Sequence, residues 1–392
     1  MSDRPRIPDE EFALRQARLR EELASAGMDA LIAYADQHAT FGQQNARYLF
    51  DYQPHFEACL VVVPREGDAF IATGPESEAF VRASSRCESV RNIDAFCHPD
   101  EEYPHSRIEP LADVMRGLGV GGGGTIGIAG SEFLPHKVWE SLRASTDAAF
   151  VEADAILTGL RAVKSAAEIA VIRRAYRIAQ AGMEAALDAI APGVTERDVA
   201  AEAEYAMRRM GSEGMGIDTI VGAGRENTHA ILTRTTTRPI GAGDHVLVTL
   251  APRYEGYHGA IARVAAVGAI DTEIERAMTV AIEAQERTCA ALRPGATGAE
   301  IDGVARDTCR EADLEQHFAY SGVHSVGVAE FEPPILTSWS RETLRPGMVF
   351  SIDIPIFFAP WGGLRVEDGF LVTENGAEPL QDCPKPIRYV AA

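Results

Sequence analysis

Between residues 152 and 164 the pattern of the chain changes character, and that change limits the folds open to it. Ahead of it, short apolar runs alternate with helical stretches. FALRQARLREELASAGMDALIAY reads as an amphipathic helix that turns at Gly27 into a buried strand, and ACLVVV, the turn PREGD and AFIAT read as a hairpin or meander. Behind it, SAAEIAVIRRAYRIAQAGMEAALDAI repeats apolar residues at three- and four-residue spacing through one long helix. A helix TERDVAAEAEYAMRRMG follows, then strands around DTIVGAG, HVLVTLAPRY and GYHGAIARVAAV, helices over 273–292 and 298–312, and a strand-rich end. This order predicts an α+β domain with long antiparallel strands, unlike a βαβ nucleotide fold. A smaller α/β domain over residues 1–155 and a larger domain over 156–392 are expected. The 392 residues, 46% of them hydrophobic, suffice for two buried cores.

The formal charge of −21, from 58 acidic against 37 basic residues, sets up a field that repels phosphate backbones and anionic lipid. Nucleic-acid and membrane partners are disfavoured. The first residues lack a basic start followed by an apolar run, and no later stretch reaches the length of a membrane span, so a cytoplasmic protein is expected. Its six cysteines are scattered without ligand-like spacing and read as reduced structural thiols. The glycine-rich run GLGVGGGGTIGIAG lacks the Gly-Lys-Ser/Thr ending of a phosphate loop and reads as a flexible connection before the strand TIGIA.

Six segments in the second half, RAVKSAAEIAVIRRA, RPIGAGDHVLV, YEGYHGAIAR, GVHSVGVAEFEPP, LRPGMVFSIDIP and GGLRVEDGFLVTENG, occur in an order that resembles the creatinase, aminopeptidase P and prolidase family. The resemblance covers most of residues 157–380. It implies a pita-bread catalytic domain preceded by a creatinase-type N-terminal domain. Metal-dependent members hold two divalent ions with two aspartates on a hairpin, one histidine and two glutamates. In this chain the aspartate positions fall on Thr249 and Ala260, the histidine on His324, and the glutamates on Asp353 and Glu367. A further family histidine is replaced by Phe331. Two degenerate positions leave one imidazole and two carboxylates, so the resemblance to creatinase, which lacks metals, implies no metal and no cofactor.

By that resemblance His229, in VGAGRENTHAIL, is the acid/base that shuttles a proton to the nitrogen of a scissile C–N bond, and His324 positions water or substrate. Asp353 and Glu367 would repel each other in a partly dry pocket unless something positive compensates them. Arg365 can do so, and so can the cationic group of a substrate. Strand parity adds His258 to the face of Ala260 and Ala262, and Arg365 to that of Glu367. Glu332 in EFEPP, with Phe331, is a candidate substrate contact. The resemblance further implies a homodimer in which the N-terminal domain, through His55 and Glu57, contributes to the neighbour's site. The leading expectation is a metal-independent hydrolase of a C–N bond in a small cationic nitrogen compound, like creatinase or ectoine hydrolase. The alternatives are an Xaa-Pro aminopeptidase or dipeptidase with a reduced metal site, and a non-catalytic peptide-binding pseudoenzyme.

Overall fold

A computed structural model describes residues 4–38 and 40–392. The chain divides into two compact units, Ile7–Arg161 and Ala162–Ala392, the second joined by residues 4–6. The division falls at the C-terminal end of helix Asp154–Ala162. That helix is held to the first unit where Tyr48 donates to Leu160 O at 3.2 Å and Arg161 to Asn45 Oδ1 at 3.4 Å.

The first unit is a seven-stranded mixed sheet built from β1 (Ala30–Ala35), β2 (Cys59–Pro64), β3 (Phe70–Thr73), β4 (Val90–Ile93), β5 (Ile108–Glu109), β6 (Thr125–Ala129) and β7 (Ala149–Glu152). Its order is β5-β4-β3-β2-β1-β6-β7. β1 with β2 and β2 with β3 are antiparallel, and the remaining pairs are parallel. ALIAYA and CLVVVP are apolar along their length because these central strands are buried on both faces.

The second unit opens with helix Ala166–Ala189, whose start is fixed by a capping box between Ser165 and Glu168. Thr195 with Asp198, and Thr297 with Glu300, start helices Glu196–Arg209 and Gly298–Glu311 in the same way. The strands are β8 (Gly214–Met215), β9 (Ile220–Ala223), β10 (His245–Leu250), β11 (Pro252–Tyr254), β12 (Tyr257–His258), β13 (Ile261–Val267), β14 (Val323–Ser325), β15 (Glu332–Leu336), β16 (Val349–Ala359), β17 (Gly362–Thr373), β18 (Gly376–Pro379) and β19 (Arg388–Val390). Seven of them run in the order β15-β14-β16-β17-β13-β10-β9, with β18 on β17 and β19 on β13, while β12, β11 and β8 form a separate small sheet. Helices Thr272–Ala291 and Gly298–Glu311 cover one apolar side, where Met278, Ile301, Phe350, Ile352, Leu364 and Val366 share a core. No helix among the described residues is long and apolar enough to cross a membrane.

The chain passes from the small sheet to the large one at Gly259 and Ala260, so strand alternation is not continuous from His258 to Ala262. Gly259 is pressed against helix Ala166–Ala189. A Cβ there would lie 2.6 Å from Tyr176 N and 2.7 Å from Ala175 C, both backbone atoms that cannot swing away. Gly259→Ala is therefore expected to destabilise the protein by about 2–3 kcal/mol, read as a lowered urea midpoint with unchanged m-value.

Candidate functional site

Antiparallel register builds the site. His324 is opposite Ser351, Asp353 opposite Glu367, Glu367 opposite Ala262, and Ala262 opposite Thr249. Directly opposed residues project to the same face of a sheet, so β14, β16, β17, β13 and β10 contribute one continuous row. Ser351 and Asp353 alternate onto that face from β16, as do Arg365 and Glu367 from β17.

Within the row the groups are buried and wired together. Ser351 Oγ donates to Glu367 Oε1 at 2.7 Å. His324 Nδ1 lies 3.1 Å from Ser325 O, and its Nε2 is 3.9 Å from Glu367 Oε1. Burial lowers the His324 pKa, which disfavours an ion pair with Glu367. Asp353 Oδ2 lies 3.5 Å from Arg365 Nε and accepts a hydrogen bond from the Tyr320 phenol, while its buried Oδ1 has no partner. The Arg365 guanidinium sits over the rings of Phe357 and Tyr320, at 5.3 Å and 5.9 Å from their centroids, and donates to Ile231 O at 3.3 Å.

Glu330, which sequence reasoning missed, completes the site. Among the described residues, His324, Glu330 and Glu367 form the one group of three potential ligands whose donor atoms all lie within 4.8 Å of one another. Burial, and then the charge of Glu367, push Glu330 far above the ordinary carboxylate range. Burial raises Asp353 and Glu367 as well, partly offset by Arg365. The available signal was an acidic residue in the same segment as His324, two positions before the Glu332 that was chosen.

The other expected site residues are not among these three ligands. Glu332 is not open to substrate, because its Oε1 is paired with Lys164 Nζ at 3.0 Å in a buried bridge that also joins Ser325 Oγ at 2.6 Å. Phe331 packs its ring on His324, 4.5 Å between centroids. His258 does not share a strand face with Ala260. It is fully buried, with Nδ1 3.1 Å from Gly327 O and Nε2 unpartnered. His229 is exposed, with Nδ1 3.2 Å from Ala359 O at the β16–β17 turn and its ring edge-on to Phe358. Thr249 and Ala260 are buried, and Thr249 Oγ1 has no partner. In the first unit Glu57 is not free to meet a substrate, since it accepts from Ser77 N at 2.7 Å and Glu76 N at 3.4 Å. His55 is exposed beside Phe80.

The model of metallopeptidase family M24 matches residues 170–374, and that of the creatinase/prolidase N-terminal domain matches residues 15–163. An Xaa-Pro dipeptidase of Pyrococcus furiosus is 33% identical over 259 residues, 65% of this chain and 73% of that protein. A Bacillus subtilis protein described as an uncharacterized peptidase is 32% identical over 377 residues, 95% of this chain and 99% of that one. The crystal structure of a Pyrococcus horikoshii prolidase superposes with a TM-score of 0.82 at 25% identity, covering 95% of this chain and 99% of the other.

These relatives overturn the expectation of a metal-independent hydrolase of small cationic compounds and favour the peptidase alternative. That expectation gave two missing aspartates more weight than a donor set it had counted incompletely. A two-ion site does not fit the residues present: Thr249 offers a hydroxyl, Ala260 a methyl, and Asp353 faces a guanidinium. A single ion fits, because one imidazole nitrogen and two carboxylates converge in a buried place with charge to be compensated.

Burial holds His258 down to about 3. Its unfolded value is near 6.5, so between the two the unfolded chain binds the extra proton and this stabilisation is lost as pH falls. The stability advantage of wild type over His258→Gln should shrink by about 2 kcal/mol between about pH 7.5 and about pH 5 in urea titrations. A constant difference would show that His258 is not held neutral.

Proposed function

Because the chain belongs to metallopeptidase family M24 and carries a creatinase/prolidase-type N-terminal domain, we propose that it hydrolyses small Xaa-Pro peptides with a metal site reduced to one divalent ion. The observation that carries the reading is the convergence of His324, Glu330 and Glu367. A bound divalent ion would supply Lewis-acid polarisation of the peptide carbonyl and a more acidic water.

The chain's own groups prepare that chemistry. The Ser325 carbonyl engages His324 Nδ1 and so turns Nε2 toward the carboxylates. Ser351 fixes one oxygen of Glu367. Phe331 packs its ring against His324. Arg365 neutralises Asp353, so the site does not carry three uncompensated carboxylates. His229, anchored through Nδ1 to Ala359 O, has its second ring nitrogen available to give a proton to the leaving proline nitrogen. The same reading assigns the protein to the cytoplasm and to a homodimer.

Elemental analysis after incubation with manganese, zinc or cobalt should find one ion per chain in wild type. Glu330→Gln and His324→Ala should weaken retention by at least ~100-fold, and chelation should abolish hydrolysis of Xaa-Pro dipeptides. Metal-free protein under every condition, or turnover indifferent to chelator, would overturn the reading.

A further inference from the structure

Glu196 is fully buried, yet no lysine or arginine forms an ion pair with it among the described residues. The arginine on the adjoining segment, Arg238, is committed to Asp244 through bonds of 2.7 Å and 3.0 Å. Burying a carboxylate without an opposite charge is costly unless hydrogen bonds replace its water. Glu196 has four. Oε1 accepts from Ala223 N at 2.8 Å, and Oε2 accepts from Asn227 Nδ2 at 2.7 Å, Thr236 N at 2.9 Å and Thr236 Oγ1 at 2.6 Å.

These donors share one property. Ala223 ends β9 immediately before the segment that carries His229, Asn227 lies two residues ahead of His229, and Thr236 lies where the segment returns to the body of the unit. Asn227 in turn receives the Thr233 hydroxyl on its Oδ1 and donates to Arg234 O at 3.2 Å. One carboxylate therefore closes the loop at both ends and in the middle. On its other side the loop is fastened to the β16–β17 turn, where Phe358 N donates to His229 O at 3.1 Å and His229 Nδ1 meets Ala359 O. The next residues reach the row of site groups through Ile231 O and Arg365.

We propose that Glu196 is a positioning residue: it sets the loop so that the His229 imidazole faces the reaction centre, acting through His229 and not on substrate. The inference rests on the peptidase reading for its kinetic consequence, and on the hydrogen bonds alone for its structural one. An ordinary buried polar group would be served by one or two local bonds. A carboxylate that collects donors from both ends of a single loop is suited to fixing that loop's shape.

The experiment combines a mutant cycle with histidine NMR. Glu196→Gln places an amide nitrogen among donors, and Thr236→Val leaves the carboxylate and its other three donors in place while removing the hydroxyl that donates to Glu196 and accepts from Arg238 N, which keeps the test open should the first variant not fold. Each should lower kcat on an Xaa-Pro dipeptide by roughly tenfold with KM and bound metal per chain little changed. In a His229→Ala background neither should cost anything further. The imidazole signal assigned to His229, by its loss in His229→Ala, should shift in both variants while that of His324 stays. Additive losses in the cycle, or an unmoved His229 signal, would overturn the positioning role. If wild type cleaves no Xaa-Pro peptide but the His229 signal moves, the positioning role stands and the peptidase reading falls.

Discussion

One buried guanidinium holds the strand on which the site is built. All five N–H groups of Arg263 are used: Nε donates to Pro384 O, Nη1 to Ala262 O and Glu367 O, and Nη2 to Asp368 Oδ1 and Cys383 O, at 2.6–3.0 Å. It thus joins β13, the middle of β17 and the C-terminal segment at the residue that faces the other site groups. Removing one partner of a buried charge pair costs about 3–5 kcal/mol, because the other charge is left without its water or its counterpart. The position of the Glu367 backbone is therefore tied to the charge balance behind the sheet as well as to the strand ladder. A front-face position such as Thr249 can then vary without loss of the register that presents Glu367.

Charge accounting on the front face explains why some residues that look functional serve structure. Lys164 is committed to Glu332 and Ser325, the two residues that face each other just beyond the irregular step between His324 and Ser325. Arg365 is spent on Asp353. Among the described residues no lysine or arginine forms an ion pair with Glu330 or Glu367, and the charge of Arg365 offsets their burial only in part. Their raised pKa values express the same fact in protons: burial and mutual repulsion favour the neutral form until a positive charge arrives.

Much of this was legible in the sequence, and the rest was hidden for definable reasons. Periodicity located the long helix Ala166–Ala189, and the spacing of landmark segments pointed to the family and to His324, Asp353 and Glu367 as members of one row. Three matters were not legible. His258 looked in phase with Ala260, but the chain changes sheets at Gly259, and parity carries no information across such a step. Glu332 and Glu330 are two acids in one short segment, and only the position of Lys164 decides which is neutralised and which faces His324. The activity was misjudged because absent ligands are easy to read from aligned motifs, whereas a ligand set completed from a neighbouring loop is a property of three dimensions.

Burial disfavours the charged forms of His324, Glu330 and Glu367 alike, so a divalent ion binding among them would compete with protons on the two acids. On the one-ion reading, affinity would rise with pH as Glu330 and Glu367 release their protons. Two carboxylates and one imidazole are enough to neutralise a divalent charge, so the filled site is electrically balanced without the hairpin aspartates. The binding of a second ion would need further anionic ligands, and Asp353 is already answered by Arg365. On the one-ion reading, the Arg365 guanidinium supplies beside Asp353, in charge though not in chemistry, part of what a second cation would supply.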